Sequence, residues 1–313
     1  DKGYIFSSVT PEVTPAGKDS LDVKFVFNEG NKVYVENIFV SGNEKTRENV
    51  IRRELKLYPG DVFSRSKLMR SQRDIWILNY FDNVIPDVTP ISDDKVNLDF
   101  VVEEKKSTQR INANLGFTGE YGITGGAGVE FDNFRGKGQK LNIGASTGTN
   151  FSIYTTQEPS KYRSLNISFQ DPMINDSPYL VGASIFYSFR GSSTNYYFPL
   201  DFTVGGAVAS FGRRLEWPDD FFRVMWSAKF MQKEYEGSQS DIDNYIGGLQ
   251  KNRGISLSQV LSRDSRNRAE FPTNGSTFIL ENTYSGGFLG GNENFQKHML
   301  TLDWFTPTFS KFI

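Results

Sequence analysis

Ser107-Thr-Gln-Arg-Ile-Asn-Ala-Asn-Leu-Gly-Phe-Thr-Gly119 divides the chain. Ile111, Ala113, Leu115 and Phe117 fall on one face of an extended strand, and Asn112, Asn114 and Gly116 fall on the other. Residues before this stretch read as small α+β modules. Residues after it read as one strand after another. The stretch is therefore expected to be the first strand of a sheet, and a first strand has an edge of unpaired N–H and C=O groups. The fate of that edge is the functional question the sequence raises.

Downstream, apolar and polar residues alternate in segment after segment. Leu141, Ile143 and Ala145 oppose Asn142, Gly144 and Ser146; Phe222, Val224, Trp226, Ala228 and Phe230 oppose Arg223, Ser227 and Lys229; Leu300, Leu302 and Trp304 oppose Thr301 and Asp303. About ten strands are expected, near 108–118, 122–131, 139–149, 163–171, 179–190, 201–214, 221–235, 253–263, 276–286 and 297–307. Short polar turns such as Asp132–Gly138, Asp171–Pro178 and Glu216–Asp220 alternate with long connections at Thr149–Arg163 and Glu236–Arg253. Aromatic residues gather near strand ends at Phe131, Phe134, Tyr196, Tyr197, Trp217, Phe221 and Phe222. Short turns on one side, long loops on the other and aromatic girdles form the pattern of a transmembrane β-barrel. Alternation alone also suits a soluble barrel with its faces reversed, so a soluble β-rich binding protein is a competing reading.

Composition narrows the chemistry. The 313 residues suffice for two or three domains. The 35 basic and 37 acidic side chains leave a net charge of -2, which argues against a nucleic-acid binder. There is no Cys, and the one His is His298, so thiolate metal sites, Cys nucleophiles and most His-based catalytic or zinc sites are excluded. No apolar run reaches the ~20 residues of a transmembrane helix. Gly125-Gly126-Ala127-Gly128 sits in a strand pattern without the helix a phosphate loop requires. The carboxylate pairs Glu103-Glu104 and Asp219-Asp220 lie at turns or strand ends, and the Asp241, Asp243, Asn244 group lacks the spacing of a calcium loop. No catalytic residue, metal or cofactor is expected. The chain opens Asp-Lys-Gly and ends at Phe312-Ile313, and it is expected to be an internal piece of a longer protein.

Upstream, the chain repeats itself. Phe6-Ser-Ser-Val9-Thr-Pro11-Glu-Val13-Thr-Pro15 aligns without gaps on Phe81-Asp-Asn-Val84-Ile-Pro86-Asp-Val88-Thr-Pro90, and the match runs on through Phe25/Phe100 and Glu29/Glu104. Residues 1–30 are expected to be the tail of one module, 31–106 a complete one and 107–313 the strand-rich part. Within the complete module Val33–Val40 reads as a strand. Thr46 is the expected N-cap of a helix reaching Leu57, stopped by Pro59-Gly60. Ser64 or Ser66 would cap a second helix with Leu68, Ile75 and Leu78 on one face, and the two repeated strands follow, giving β-α-α-β-β.

Ile38-Phe-Val-Ser-Gly42-Asn43, Val50-Ile-Arg52-Arg53-Glu54-Leu55, Pro59-Gly60-Asp61 and Tyr80-Phe81-Asp-Asn-Val84 together resemble a POTRA domain, and most of all the barrel-proximal one of the BamA family of outer-membrane assembly factors. Asp264, Arg266 and the Phe271-Pro272-Thr-Asn-Gly275 run resemble a periplasmic turn of that family, and Asn133–Gly138 resembles its first. The local reading of the first run is a turn with Gly275 at positive φ and Asp264 paired to Arg266. The resemblance implies a POTRA module followed by about ten strands of a sixteen-stranded antiparallel transmembrane barrel, the barrel in the bacterial outer membrane and the module in the periplasm.

The resemblance further implies a non-enzymatic insertase for unfolded outer-membrane β-barrel substrates. In such an insertase the first strand, Arg110, Ile111, Asn112, Ala113, Asn114, Leu115, Gly116 and Phe117, templates the substrate's C-terminal strand at a lateral gate. Accessory lipoproteins and outer-membrane lipid are the other implied partners. Arg52, Arg53, Glu54 and Asp61 are the candidate docking surface on the module; a charge run of this kind also reads as a solvated helix face. Val84, Ile85 and Val88 would lie on an edge strand open to strand addition, where Pro86 and Pro90 oppose pairing. The alternative from the same resemblance is a POTRA-bearing secretion pore of the two-partner type.

Overall fold

The computed structural model describes residues 2–15, 20–118, 122–149, 161–192, 198–219, 221–266 and 272–307. The chain forms two compact units. One comprises Asp1–Thr108 with the short segment Arg135–Gly138, and the other comprises Gln109–Phe134 and Gln139–Ile313.

The first unit contains a two-stranded antiparallel hairpin, β1 (Ser8–Pro15) and β2 (Leu21–Asn28), followed by β3 (Tyr34–Ser41), α1 (Glu48–Arg52), α2 (Arg65–Ile77), β4 (Phe81–Ser92) and β5 (Lys95–Glu104). The last three strands make a sheet in the order β3-β5-β4, with β5 parallel to β3 and antiparallel to β4. The two helices cover one face of it. Val96, Leu98, Phe100 and Val102 alternate along β5 and are buried with Val50, Ile51, Leu68 and Ile75 of the helices. The repeat places Leu21, Val23, Phe25 and Phe27 at the corresponding positions of β2, where they are half to two-thirds exposed. Among the described residues no helix covers that face of the hairpin.

Ser64 caps α2, its hydroxyl accepting from the Lys67 N–H at 3.3 Å. The first helix departs from expectation. It ends at Arg52 rather than reaching Leu57, and Arg47, not Thr46, holds the N-cap position without a side-chain cap. The cause is tertiary. Glu104 at the end of β5 accepts from the Lys45 N–H at 2.8 Å and the Thr46 N–H at 2.6 Å, so the loop is tied to the sheet. Leu55 and Leu57 are still buried, but on a turn whose Lys56 N–H donates to Ser71 Oγ at 2.8 Å.

The second unit is one ten-stranded antiparallel meander in chain order: β6 (Gln109–Thr118), β7 (Gly122–Phe134), β8 (Gln139–Thr149), β9 (Lys161–Asp171), β10 (Tyr179–Arg190), β11 (Asp201–Arg214), β12 (Phe222–Glu236), β13 (Lys251–Asp264), β14 (Gly275–Ser285) and β15 (Phe295–Phe305). The sheet is not closed; β6 and β15 are its two edges. Every strand lies within a few residues of its expected place. Ile111, Val129, Ile143, Ile167, Ile185, Ala207, Phe230 and Ile255 follow one another across the apolar face by direct or near-direct pairing. The long connection after β12 carries an unexpected helix, α3 (Gln239–Ile246), capped by Ser238 and ended by left-handed Gly247.

Two predictions concern the Gly42–Thr46 loop. Gly42 sits at φ +86°, and a Cβ there would lie 2.0 Å from the Val102 carbonyl oxygen. Gly42→Ala is expected to destabilise the module by on the order of 2 kcal/mol or more, measured as faster amide exchange throughout β3 and β5. For Glu104, burial raises the carboxyl pKa, but the Thr46 hydroxyl and the Lys45, Thr46 and Glu44 N–H groups outweigh it, so the net shift is downward. A carboxyl whose pKa is lower folded than unfolded contributes stability above its unfolded value and loses it as pH falls through the folded one. Glu104→Gln should therefore weaken the module by about 1–2 kcal/mol at pH 7, with the gap from wild type closing under acid, read by hydrogen exchange of the β5 amides.

Candidate functional site

The candidate site is β6. It pairs with β7 in unbroken register, Asn112 opposite Gly128, Asn114 opposite Gly126, Leu115 opposite Gly125 and Gly116 opposite Thr124. Three of these four partners are glycine, so β6 receives little cross-strand side-chain packing along this length. A Cβ on Gly126 would lie 2.6 Å from Asn114 Oδ1, so the missing side chain makes room for the asparagine. On the apolar face Ile111, Leu115 and Phe117 are about four-fifths exposed. Main-chain hydrogen bonds to β7 therefore carry most of the attachment.

One end is fastened differently. Arg110 reaches Glu130 Oε1 at 2.9 Å and Asp132 Oδ2 at 3.0 Å, both on β7. Asp132 is buried. The strand is thus pinned beside Gln109 and lightly held from Asn112 onward. Unlike Pro-bearing β4, β6 contains no proline, and among the described residues no side chain caps a main-chain group between Ile111 and Phe117.

The polar face of the sheet is a network of small groups. Ser146 and Ser164 hydroxyls are 2.6 Å apart, Asn166 Nδ2 donates to Asn142 Oδ1 at 3.1 Å, and Thr277 Oγ1 donates to Asp303 Oδ2 at 2.6 Å. A cavity of about 320 Å³ on this face is lined by Lys229, Glu281, Glu293 and Lys297 among others, with the charges in balance.

The turn residues behave as local structure. Arg266 donates to Asp264 through Nε at 2.9 Å and NH2 at 2.7 Å, and Gly275 takes φ +108°. Pro272 adjoins this turn; Phe271 lies outside the described residues, as do Tyr196, Tyr197, Asp220 and most of the connection after β8. Sequence reasoning missed the partner that ties two turns together. Arg263 donates to Asp219 Oδ2 at 2.9 Å and to Ser265 and Ser276, and it lies over the Phe221 and Phe222 rings. Asp219 and Arg263 are 44 residues apart, so no local pattern announces them. The Asp241 and Asp243 carboxylates serve α3, bonded to Ser238 and to Gln239 Nε2. The Ser238-to-Asp241 spacing was the available signal for that helix.

On the module, the expected docking surface is corrected. Arg53 and Glu54 are buried, with side chains 7% and 11% exposed, so they form neither a solvated helix face nor a surface open to a partner. Arg52 remains half exposed, paired to Glu48 at 2.6 Å and donating to the Ile38 carbonyl at 2.9 Å. Asp61 accepts from the Tyr58 N–H at 3.2 Å. β4, with Val84, Ile85 and Val88, lies at an edge of its sheet; the Val84 side chain is buried and that of Ile85 is exposed. Among the described residues no cluster of His, Asp or Glu is arranged to hold a metal.

Known proteins share this arrangement. A family model described as the Omp85 superfamily domain matches residues 133–313, and a POTRA model described as surface antigen variable number repeat matches 33–105. The outer membrane protein assembly factor BamA of Nitratidesulfovibrio vulgaris is 29% identical over 308 residues, which is 95% of this chain and 35% of the relative. BamA of Neisseria meningitidis is 35% identical over 147 residues, 46% of this chain and 18% of the relative. This chain thus spans about a third of the first relative's length and less of the second. The crystal structure of BamA from Haemophilus ducreyi lacking POTRA domains 1-3 superposes with a TM-score of 0.67 at 20% identity, over 91% of this chain and 55% of that one. CdiB from Acinetobacter baumannii gives 0.54 at 15% identity, over 96% and 53%. At such identities these two structures establish the fold.

Arg110→Gln should leave the fold intact and loosen the pinned end of β6. A half-exposed ion pair contributes about 0.5–1 kcal/mol, so the amides of Gln109 to Ile111 should exchange roughly 2- to 5-fold faster. Unchanged exchange there would remove Arg110 as the anchor.

Proposed function

The chain belongs to the Omp85 superfamily, its POTRA module periplasmic and its strands in the outer membrane, and we propose that it acts in outer-membrane β-barrel assembly by lending the edge of β6 to an incoming strand. The observation that carries this reading is the attachment of β6. It is pinned at Arg110, faces only glycine or alanine on β7 from Asn112 to Leu115, and among the described residues no side chain caps its main chain between Ile111 and Phe117. An edge used in this way binds through main-chain hydrogen bonds, which every substrate strand offers irrespective of its side chains. The work required is templating and not bond chemistry, so the residues from Arg110 to Phe117 act through position. The C-terminal strand of an unfolded outer-membrane barrel is the substrate segment this predicts.

Other partners follow from exposure. The apolar face of the sheet, including Ile111, Leu115, Leu302 and Trp304, suits outer-membrane lipid. An accessory lipoprotein docking on the module would meet Arg52 and Asp61 rather than Arg53 and Glu54.

These 313 residues contain no Cys, so a Cys introduced here is unique within them. A single Cys replacing Asn112 or Asn114 in the full-length protein, with a second in the last strand of a substrate barrel, should give a disulfide at one register during assembly and none one residue away. Crosslinks restricted to a translocating passenger from polar-face sites such as Ser146 or Ser258 would instead support a secretion pore and overturn the templating edge.

A further inference from the structure

The three-stranded sheet of the module has two edges, β3 and β4; the outward donors of β4 are silenced and the first half of β3 is covered. On β4 the sequence repeats as Asn83-Val84-Ile85-Pro86 and Asp87-Val88-Thr89-Pro90. In an antiparallel pair, alternate residues direct their N–H and C=O groups toward the neighbour and away from it. The outward residues on β4 are Val84, Pro86, Val88 and Pro90: the prolines have no N–H to give β5, and in the same alternation the Val84 carbonyl accepts from Gln72 Nε2 on α2 at 2.7 Å. Each outward donor on this edge is removed or taken. The Val84 N–H donates to Asn83 Oδ1 at 3.0 Å and the Val88 N–H to Asp87 Oδ1 at 2.9 Å. Pro86 and Pro90 have no N–H to offer. A strand laid against β4 would find no donor across four consecutive outward positions.

β3 is covered over its first half by other means. The Val33 N–H donates to Gly3 O and its carbonyl accepts from Phe63 N, both at 2.9 Å. The Val35 N–H donates to Asp61 O at 2.9 Å and its carbonyl accepts from Gly60 N at 2.7 Å. The segment Gly60–Phe63 thus lies where an added strand would go. Farther along, Arg52 takes the Ile38 carbonyl.

We propose that β4, the edge of the 33–105 module, is a non-pairing edge that offers no main-chain donor to a passing unfolded chain, so that strand addition is reserved for β6. The doubled Asx-Val-x-Pro sequence is the device on β4, with the asparagine or aspartate silencing one donor and the proline deleting the next. The hairpin upstream keeps the valines and prolines, as Val9, Pro11, Val13 and Pro15, but has Ser8 and Glu12 in place of the capping residues. The reservation for β6 rests on the templating reading above, whereas the silencing of β4's donors stands without it.

The test uses the full-length protein in outer-membrane vesicles and, as probe, a peptide with the sequence of a barrel's C-terminal strand carrying one Cys at successive positions. Single Cys are placed at Ile85 or Thr89 on β4, and at Ile111 or Ala113 on β6. The wild-type edge should crosslink in register at β6 and not at β4. Two opened variants, Pro86→Thr with Pro90→Thr, and Asn83→Ala with Asp87→Ala, should each raise crosslinking at Ile85 and Thr89 at least ten-fold while β5 amide protection shows the module folded. In-register crosslinks at β4 of the unopened protein would overturn the proposal, as would folded opened variants that gain none. Crosslinking gained at opened β4 with none at β6 would uphold the silencing of β4 and defeat the templating reading.

Discussion

A β-strand presents hydrogen-bonding groups along both sides, and each group must find a partner. Within a bilayer there is no water to supply one, and an unmet group costs several kcal/mol. That requirement organises the whole of the second unit. The strands β7 to β14 are flanked on both sides in simple chain order, which satisfies their main chains with the shortest possible connections. Among the described residues β6 and β15 lie at the two edges of the sheet. The same requirement shapes the module in the opposite sense, because there the outward donors of β4 have been capped or deleted and the first half of β3 covered.

Side chains in the sheet are subordinate to this ladder. Glycines opposite β6 thin the packing between the first two strands and give Asn114 its place. Arg110 restores a fixed point at one end. Arg263 performs a related task at the turns, joining the connection after β11 to the ends of β13 and β14 by an ion pair, two hydroxyl contacts and two aromatic faces. The polar face contributes hydroxyl and amide pairs of modest individual worth. Charged groups of the module are likewise spent on internal structure: Glu104 on the loop before α1, and Arg52 on Glu48 and the β3 edge. What the sheet offers besides is an arrangement of main chain, which is what the proposed pairing with an incoming strand requires.

Much of this was legible in the chain. A side-chain period of two is a local property, so Leu141-Asn-Ile143-Gly-Ala145 and its counterparts placed ten strands within a few residues. The repeat from Phe6 and from Phe81 located the paired strands of the module, and Ser64 declared the start of α2. The first helix was misjudged because its cap and its length depend on Glu104 and Ser71, far along the chain. α3 was signalled only by Ser238, Asp241 and Gly247, because eight residues within a long polar connection carry too short an apolar period to mark a helix.

The sequence by itself thus determined the order of the elements, the two faces of every strand and the position of β6 as the first of its sheet, because alternation, turn residues and repeats act between near neighbours. Only the tertiary structure decided which edges are open. Whether Arg53 is buried, whether Arg52 reaches the Ile38 carbonyl, whether Gln72 meets the Val84 carbonyl and whether Gly60 to Phe63 lies along β3 are matters of long-range packing. Such contacts join residues distant in sequence, whose meeting is set by how the helices seat on the sheet and by no periodicity in the chain.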